Sequence, residues 1–318
     1  MRADEAVGVR RTLGGTGLEV TALTVGTSGL GRVDRVPEDR AQQTLAAALA
    51  GPFAVLDTSN EYGDGHSEER VGRALALAGG LPAGRLVVTK VDPLPGSADF
   101  SGDRVRASVE ESLHRLGLDH LPLVHLHDPE RITFEEAMSG SGPVAALVAL
   151  RDEGVIGHLG VAGGPAAMME RYVRTGIFEA IVTHNRFTLL DRSAESLLDA
   201  CAELGLGVFN AAPYGGGLLA GRRSDPPTYA YRPATPEHLA ALDRITAACA
   251  AHGVDLPAAA LQLSIRDPRI TSTIVGATRP EQLDATVAWA QQPIPTELWA
   301  ELDGLCPPER VWLGPDGR

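Results

Sequence analysis

Eight short β-rich runs recur along this chain, and each is followed by a stretch with helical spacing. The runs are ALTVG (22–26), AVLD (54–57), LVVTK (86–90), LVHLH (123–127), GHLGV (157–161), AIVTH (180–184), GVFN (207–210) and STIVG (272–276). Between them, apolar residues fall three and four apart. Examples are Val105, Val109, Leu113 and Leu116 after Asp103; Leu147 and Leu150; Leu197, Ala200 and Leu204; and Leu239, Leu242 and Ile245. Pro37-Glu38-Asp39 opens one helix, and Ser67-Glu68-Glu69 opens another as a hydroxyl N-cap with acids in the first turn. At roughly 30–40 residues per unit, the alternation predicts an α/β fold, a (β/α)₈ TIM barrel. No linker or shift in composition interrupts it, so residues 1–318 are expected to be a single barrel domain. The Gly-rich stretch Leu13 to Val20 predicts an N-terminal β-hairpin. An open doubly wound sheet would carry G-x-G-x-x-G directly after its first strand; Gly26, Gly29 and Gly31 are spaced differently.

With 318 residues and 44% hydrophobic content, the chain can bury a large core. Its net charge of −13 argues against nucleic-acid binding. No apolar run approaches the roughly 18–20 residues of a membrane span. The first residues, MRADEAVGVRR, contain no apolar segment of a signal peptide. Cys201, Cys249 and Cys306 fit no metal spacing, and a sparse, odd set suits a reducing cytoplasm.

Strand ends carry the chemistry in such a barrel, because the C-terminal ends of all strands meet at one mouth. Asp57 ends the second run, Lys90 the third and His127 the fourth, and Tyr62 follows Asp57 by five residues. Lys90 is the only lysine; the other 27 of the 28 basic residues are arginine. Each of the four has a mundane explanation alone, but together they make a general acid–base site. An ammonium lowers the pKa of a neighbouring tyrosine from its usual value near about 10. A carboxylate holds the ammonium, and a histidine orients the substrate oxygen. Carbonyl chemistry of this kind needs a hydride that no side chain supplies, so a nicotinamide cofactor is implied. His125 shares a strand face with His127. A metal pair would need further ligands from other strands, so no metal is expected and His125 is read as a packed histidine with a hydrogen-bond partner. The polar segment 220–236, with Pro226-Pro227, reads as a lid or specificity loop.

The run DTSNEYGDGHSEERVGRAL (57–75) resembles the D-T-x-x-x-Y-G signature of the aldo-keto reductase superfamily. VVTK (87–90), HDP (127–129) and IVGATRPEQL (274–283) join it, and the resemblance extends from LGGTGLEVTALTVGT (13–27) to PIPTELW (293–299). LHDPERITFEEA (126–137), LRDEGVIGHLGV (150–161), NRFTLLD (185–191) and NAAPYGGGLLA (210–220) resemble its aldose 1-dehydrogenase branch, whose members act on sugars such as L-fucose and on pyridoxal. The resemblance implies that Tyr62 exchanges the proton, that Lys90 and Asp57 tune it, and that His127 orients a small carbonyl or alcohol substrate. It also implies an NAD or NADP cofactor lying across the mouth, against Thr27, Asp57, Gly163, His184, Asn185, Tyr214, Gly215, Gly276, Arg279 and Gln282.

Several positions depart from the family pattern. Ala162-Gly163 stands where many members have Ser-Asn, His184 where they have Gln, and Ala211 where they have the tyrosine that stacks on the nicotinamide. Asn185, His184 and Tyr214 are the expected substitutes. Positions that hold a 2′-phosphate in NADP-preferring members fall on Gly276 and Gln282, leaving Arg279 as the one cation and favouring NAD. Two other functions fit parts of the pattern. A lone lysine at a barrel strand end can form a Schiff base, as in an aldolase. A barrel of this kind can also serve as a non-catalytic nucleotide-binding module, although a module has no need of the acid. The sequence carries no signal of oligomeric state.

Overall fold

The computed structural model describes residues 7–94, 96–222 and 224–314. The hairpin comes first, with β1 (Arg10–Thr12) antiparallel to β2 (Glu19–Thr21). The expected stretch, Leu13 to Val20, supplies the connecting turn at residues 13–18 and the start of β2, while β1 lies before it. The eight runs then form β3 (Leu23–Gly26), β4 (Val55–Asp57), β5 (Leu86–Val91), β6 (Leu121–His127), β7 (Ile156–Gly163), β8 (Ala180–His184), β9 (Gly207–Ala211) and, after a small hairpin, β12 (Ser272–Gly276). They pair in parallel in chain order, and β12 closes the barrel by pairing with both β9 and β3.

Alternation along each strand sorts the side chains into two cores. Val55, Val88, Leu123, Val182, Phe209 and Ile274 point into the barrel and meet Leu13 and Val20 from the hairpin. Their neighbours Leu56, Val87, Val124, Ile181, Val208 and Val275 face outward into a second core shared with the helices. Each such side chain is worth about 1.5–3 kcal/mol when fully buried. The hairpin forms the barrel floor. Gly14 adopts φ +51°, and a Cβ there would lie 2.2 Å from the Gly207 nitrogen, so only glycine permits this approach.

The helices are α1 (Glu38–Ala50), α2 (His66–Leu77), α3 (Gly102–Leu116), α4 (Phe134–Ala137), α5 (Pro143–Asp152), α6 (Ala166–Val173), α7 (Glu195–Leu204), α8 (Pro236–Ala251), α9 (Leu256–Arg266), α10 (Pro280–Gln291) and α11 (Thr296–Asp303). One start, that of α2, differs from expectation. The cap of α3 is Ser101, whose hydroxyl accepts from the Arg104 N–H. In α2, Gly65 occupies the N-cap position and Ser67 lies within the helix. The Ser67 hydroxyl instead joins Thr27 Oγ1 at 2.7 Å and Thr58 Oγ1 at 2.9 Å, tying α2 to the ends of β3 and β4. Glu68 is a first-turn acid as expected, and it is fully buried and bonded to Thr89 and Arg115. Within the 220–236 segment, β10 (Thr228–Tyr229) and β11 (Arg232–Pro233) form a two-stranded flap whose tip residue, Tyr231, is 81% exposed. No helix among the described residues is long and apolar enough to cross a membrane.

Candidate active site

A cavity of about 830 Å³ opens at the C-terminal end of the barrel, and all eight barrel strands contribute to its wall. Asp57, Tyr62, Lys90 and His127 line it together. The Lys90 ammonium donates to Asp57 Oδ1 at 2.8 Å and to the Thr58 carbonyl at 2.7 Å, and lies 4.6 Å from the centroid of the Tyr62 ring. Lys90 and Asp57 are 1% and 3% exposed, so the ion pair has almost no water to share. The Tyr62 loop is seated by a backbone contact at Gly63 (φ +63°), where a Cβ would meet the Gly31 carbonyl oxygen at 2.1 Å. The His127 ring meets Tyr62 edge to face, with centroids 5.8 Å apart.

Burial favours a neutral Lys90, but the Asp57 carboxylate and Tyr62 outweigh it and raise the lysine pKa. A Schiff base requires a free, neutral amine, so this lysine is not set up as a nucleophile. For Tyr62, desolvation prevails. It pushes the phenol above its ordinary value, while Lys90 pulls the other way and Asp57 adds to the rise. The expected net lowering by the ammonium is therefore not found, because burial costs the phenolate more than Lys90 returns.

Asp92 was not identified from the sequence as part of this site. It is fully buried two residues beyond Lys90, and its Oδ1 meets His127 Nδ1 at 2.6 Å while its Oδ2 accepts from the Ser59 hydroxyl. Period-two spacing from Lys90 was the available signal. Burial alone would raise the Asp92 pKa, but the His127 charge and the hydrogen bonds from His127 and Ser59 hold it below the usual range. Burial would likewise lower His127, but Asp92 holds it above the ordinary histidine value. His125, expected to have a partner, makes no hydrogen bond of ordinary geometry through either ring nitrogen. The Thr89 backbone lies near enough to favour its charged form, yet burial dominates and pushes it down to about 3. The ring packs edge-on against Phe209.

The residues expected at the cofactor divide into two groups. Asp57, Gly163, His184, Tyr214, Gly276 and Gln282 line the cavity; Thr27, Asn185, Gly215 and Arg279 do not. The Thr27 hydroxyl is committed to the Asp57 carbonyl at 2.9 Å and to Ser67. Gly215 makes room for the Tyr229 ring, which a Cβ would meet at 2.3 Å. Arg279 is exposed at the N-cap of α10. Asn185 is buried with φ +61°; its Nδ2 approaches His184 Nδ1 at 3.1 Å, and its Oδ1 has no partner among the described residues. Burial pushes His184 down to about 4. Arg222 also lines the cavity and was not singled out in the sequence; its guanidinium has no partner among the described residues.

The Aldo/keto reductase family model matches residues 22–306. The chain is 34% identical to D-threo-aldose 1-dehydrogenase of a Pseudomonas species, over 90% of this chain and 94% of that one. It is 32% identical to L-galactose dehydrogenase of Arabidopsis thaliana, over 96% and 97%. The holo form of an aldo-keto reductase from Bacillus halodurans shares the fold, with a TM-score of 0.80 at 24% identity, over 95% of this chain and 97% of that one. These matches lead to one statement: the chain belongs to the aldo/keto reductase family and is an NAD(P)-dependent oxidoreductase of carbonyl compounds.

Proposed function

We propose that the protein is an NAD-preferring dehydrogenase of small aldoses, acting at the aldehydic carbon, with Tyr62 as the proton-exchanging group. The observation that carries this reading is the convergence of Asp57, Tyr62, Lys90 and His127 on one cavity wall. A nicotinamide dinucleotide, when bound, supplies or accepts the hydride. The residues around the mouth fit such a ligand. Arg222, which lines the cavity and makes no ion pair among the described residues, suits a phosphate.

Tyr62 gives its proton to the substrate oxygen in reduction and takes it back in oxidation. The buried Lys90 charge stabilises the phenolate that remains, and Asp57 keeps that charge in place. His127 holds the substrate oxygen toward Tyr62. The same groups serve both directions.

Preference for NAD is supported at the far end of the cavity. Gln282 Oε1 accepts from the Thr278 N–H at 2.8 Å and from its hydroxyl at 3.2 Å. An acceptor oxygen thus fills donors that a 2′-phosphate would use, and Arg279 lies outside the lining. The aldose assignment is supported by the names of the two dehydrogenase relatives. Free Cys201, Cys249 and Cys306 support a cytoplasmic location. A screen of NAD and NADP reduction across aldoses, pyridoxal and simple aldehydes tests the proposal. Fastest turnover of an aldose with NAD is the expected result; faster turnover of pyridoxal, or with NADP, overturns it.

A further inference from the structure

We propose that Asp92 is a positioning residue that keeps His127 doubly protonated, so that Nε2–H donates to the substrate oxygen while Tyr62 exchanges its proton. The proposal rests on the reading of His127 as a substrate contact.

The argument begins with tautomers. His127 Nδ1 lies 2.6 Å from Asp92 Oδ1, so Nδ1 must carry a proton to make that bond. A neutral ring bonded this way has a bare Nε2, which can only accept. A carbonyl oxygen also only accepts, so a neutral His127 repels the group it is meant to hold. The ring can do both jobs only as imidazolium.

The neighbouring charges show which group maintains that state. The titratable and charged groups facing His127 are Asp92 and Lys90 from the end of β5, Glu61 and Tyr62 from the loop after β4, His125 on its own strand, Asp128, Glu130 and Arg131 from the turn after β6, and His184 at the end of β8. Glu61 and Asp128 approach the ring at 3.9 and 3.7 Å, but both also bond Arg131, at 2.6 and 3.2 Å. The Lys90 charge is met by Asp57. Asp92 is the acid that pairs closely with His127 and, among the described residues, has no closer cation: its other carboxylate oxygen takes a neutral Ser59 hydroxyl. Its backbone is fixed as well, with the Arg104 Nε donating to its carbonyl at 3.2 Å.

The raised His127 pKa agrees in direction with this geometry. The sign follows. Since the protonated ring is the useful form, reductive activity is present below the raised pKa and is lost as pH rises through it. Removing the Asp92 charge leaves burial opposed only by more distant carboxylates such as Asp128, so the loss moves to lower pH. No proton leaves Nε2 in this scheme; the ring stabilises the substrate oxygen while Tyr62 transfers the proton.

The direct test is nitrogen-detected NMR titration of the histidine rings in the full-length protein, with His127 assigned by difference from His127→Gln. A ring protonated at both nitrogens at pH 7 is expected, with a midpoint that falls by at least about one pH unit in Asp92→Asn. The alkaline limb of kcat/KM for carbonyl reduction should move with it, with the KM for NADH unchanged. Ser59→Ala keeps the Asp92 charge and removes a donor that competes for it, so neither midpoint should fall; a fall there overturns the proposal, and this serves if Asp92→Asn does not fold. A singly protonated wild-type ring at pH 7, or a midpoint unmoved by Asp92→Asn, overturns the proposal. Full activity in His127→Gln overturns the underlying reading of His127 as a substrate contact, and the proposal with it.

Discussion

The two sides of the barrel mouth are built differently. On the β4–β6 side, the ionisable groups answer one another: Lys90 with Asp57 and Thr58, His127 with Asp92, and Asp92 with Ser59. On the β8–β12 side, the cavity-lining Arg222 guanidinium makes no hydrogen bond or ion pair among the described residues. There the chain also turns through Gly215, Gly216 and Gly217 at positive φ. The first side is complete before any ligand arrives, whereas the second offers groups that a ligand can complete. The difference matches two tasks. Proton exchange needs charges held rigidly in a desolvated pocket, and binding an extended cofactor needs unspent donors and acceptors.

Substitutions on the finished side should therefore affect chemistry, and those on the open side should affect binding. Tyr62→Phe is the largest expected effect: turnover falls by roughly 10²–10⁴-fold while cofactor affinity, read by fluorescence titration, barely moves. Unchanged turnover would remove Tyr62 from its role. Lys90→Met leaves Asp57 charged and unpaired in the interior, and should cost about 3–5 kcal/mol in denaturant unfolding as well as activity. Lys90→Arg should also fail, because a planar guanidinium cannot put its charge in the same place.

Smaller effects are expected on the open side. Gln282→Arg replaces an acceptor with a charged donor and should shift the NADP/NAD preference by about tenfold or more toward NADP, read as a ratio of kcat/KM values. Arg222→Ala should raise the KM for NAD by about tenfold with kcat nearly unchanged, and should flatten its dependence on salt. A fall in kcat instead would erase the distinction between the two sides. His184, pushed down to about 4, is neutral across the working range, so His184→Ala should leave the pH profile in place between pH 6 and 9.

The short sequence signals succeeded where they reported a repeating environment. AIVTH and STIVG coincide with β8 and β12 because a strand buried on both faces must read as a continuous apolar run. Asp57, Lys90 and His127 were legible because strand ends in a closed barrel meet at one mouth whatever the loops do. Ser67 misled because a hydroxyl before two acids has the composition of a helix cap, and only packing reveals that its partners are Thr27 and Thr58. Thr27, Gly215 and Arg279 lie near the mouth in sequence, but the structure turns them away from the cavity.

From the sequence alone came the barrel, its order and the four polar side chains that meet at its mouth, since each rests on local periodicity and the common direction of parallel strands. Tertiary structure decided which charges meet. It set Asp92 under His127, put Arg131 between Glu61 and Asp128, and buried the Tyr62 phenol enough to raise its pKa despite the nearby ammonium. Electrostatic energy depends on separation and on the water excluded between groups, and neither quantity is written in the spacing of residues along a chain.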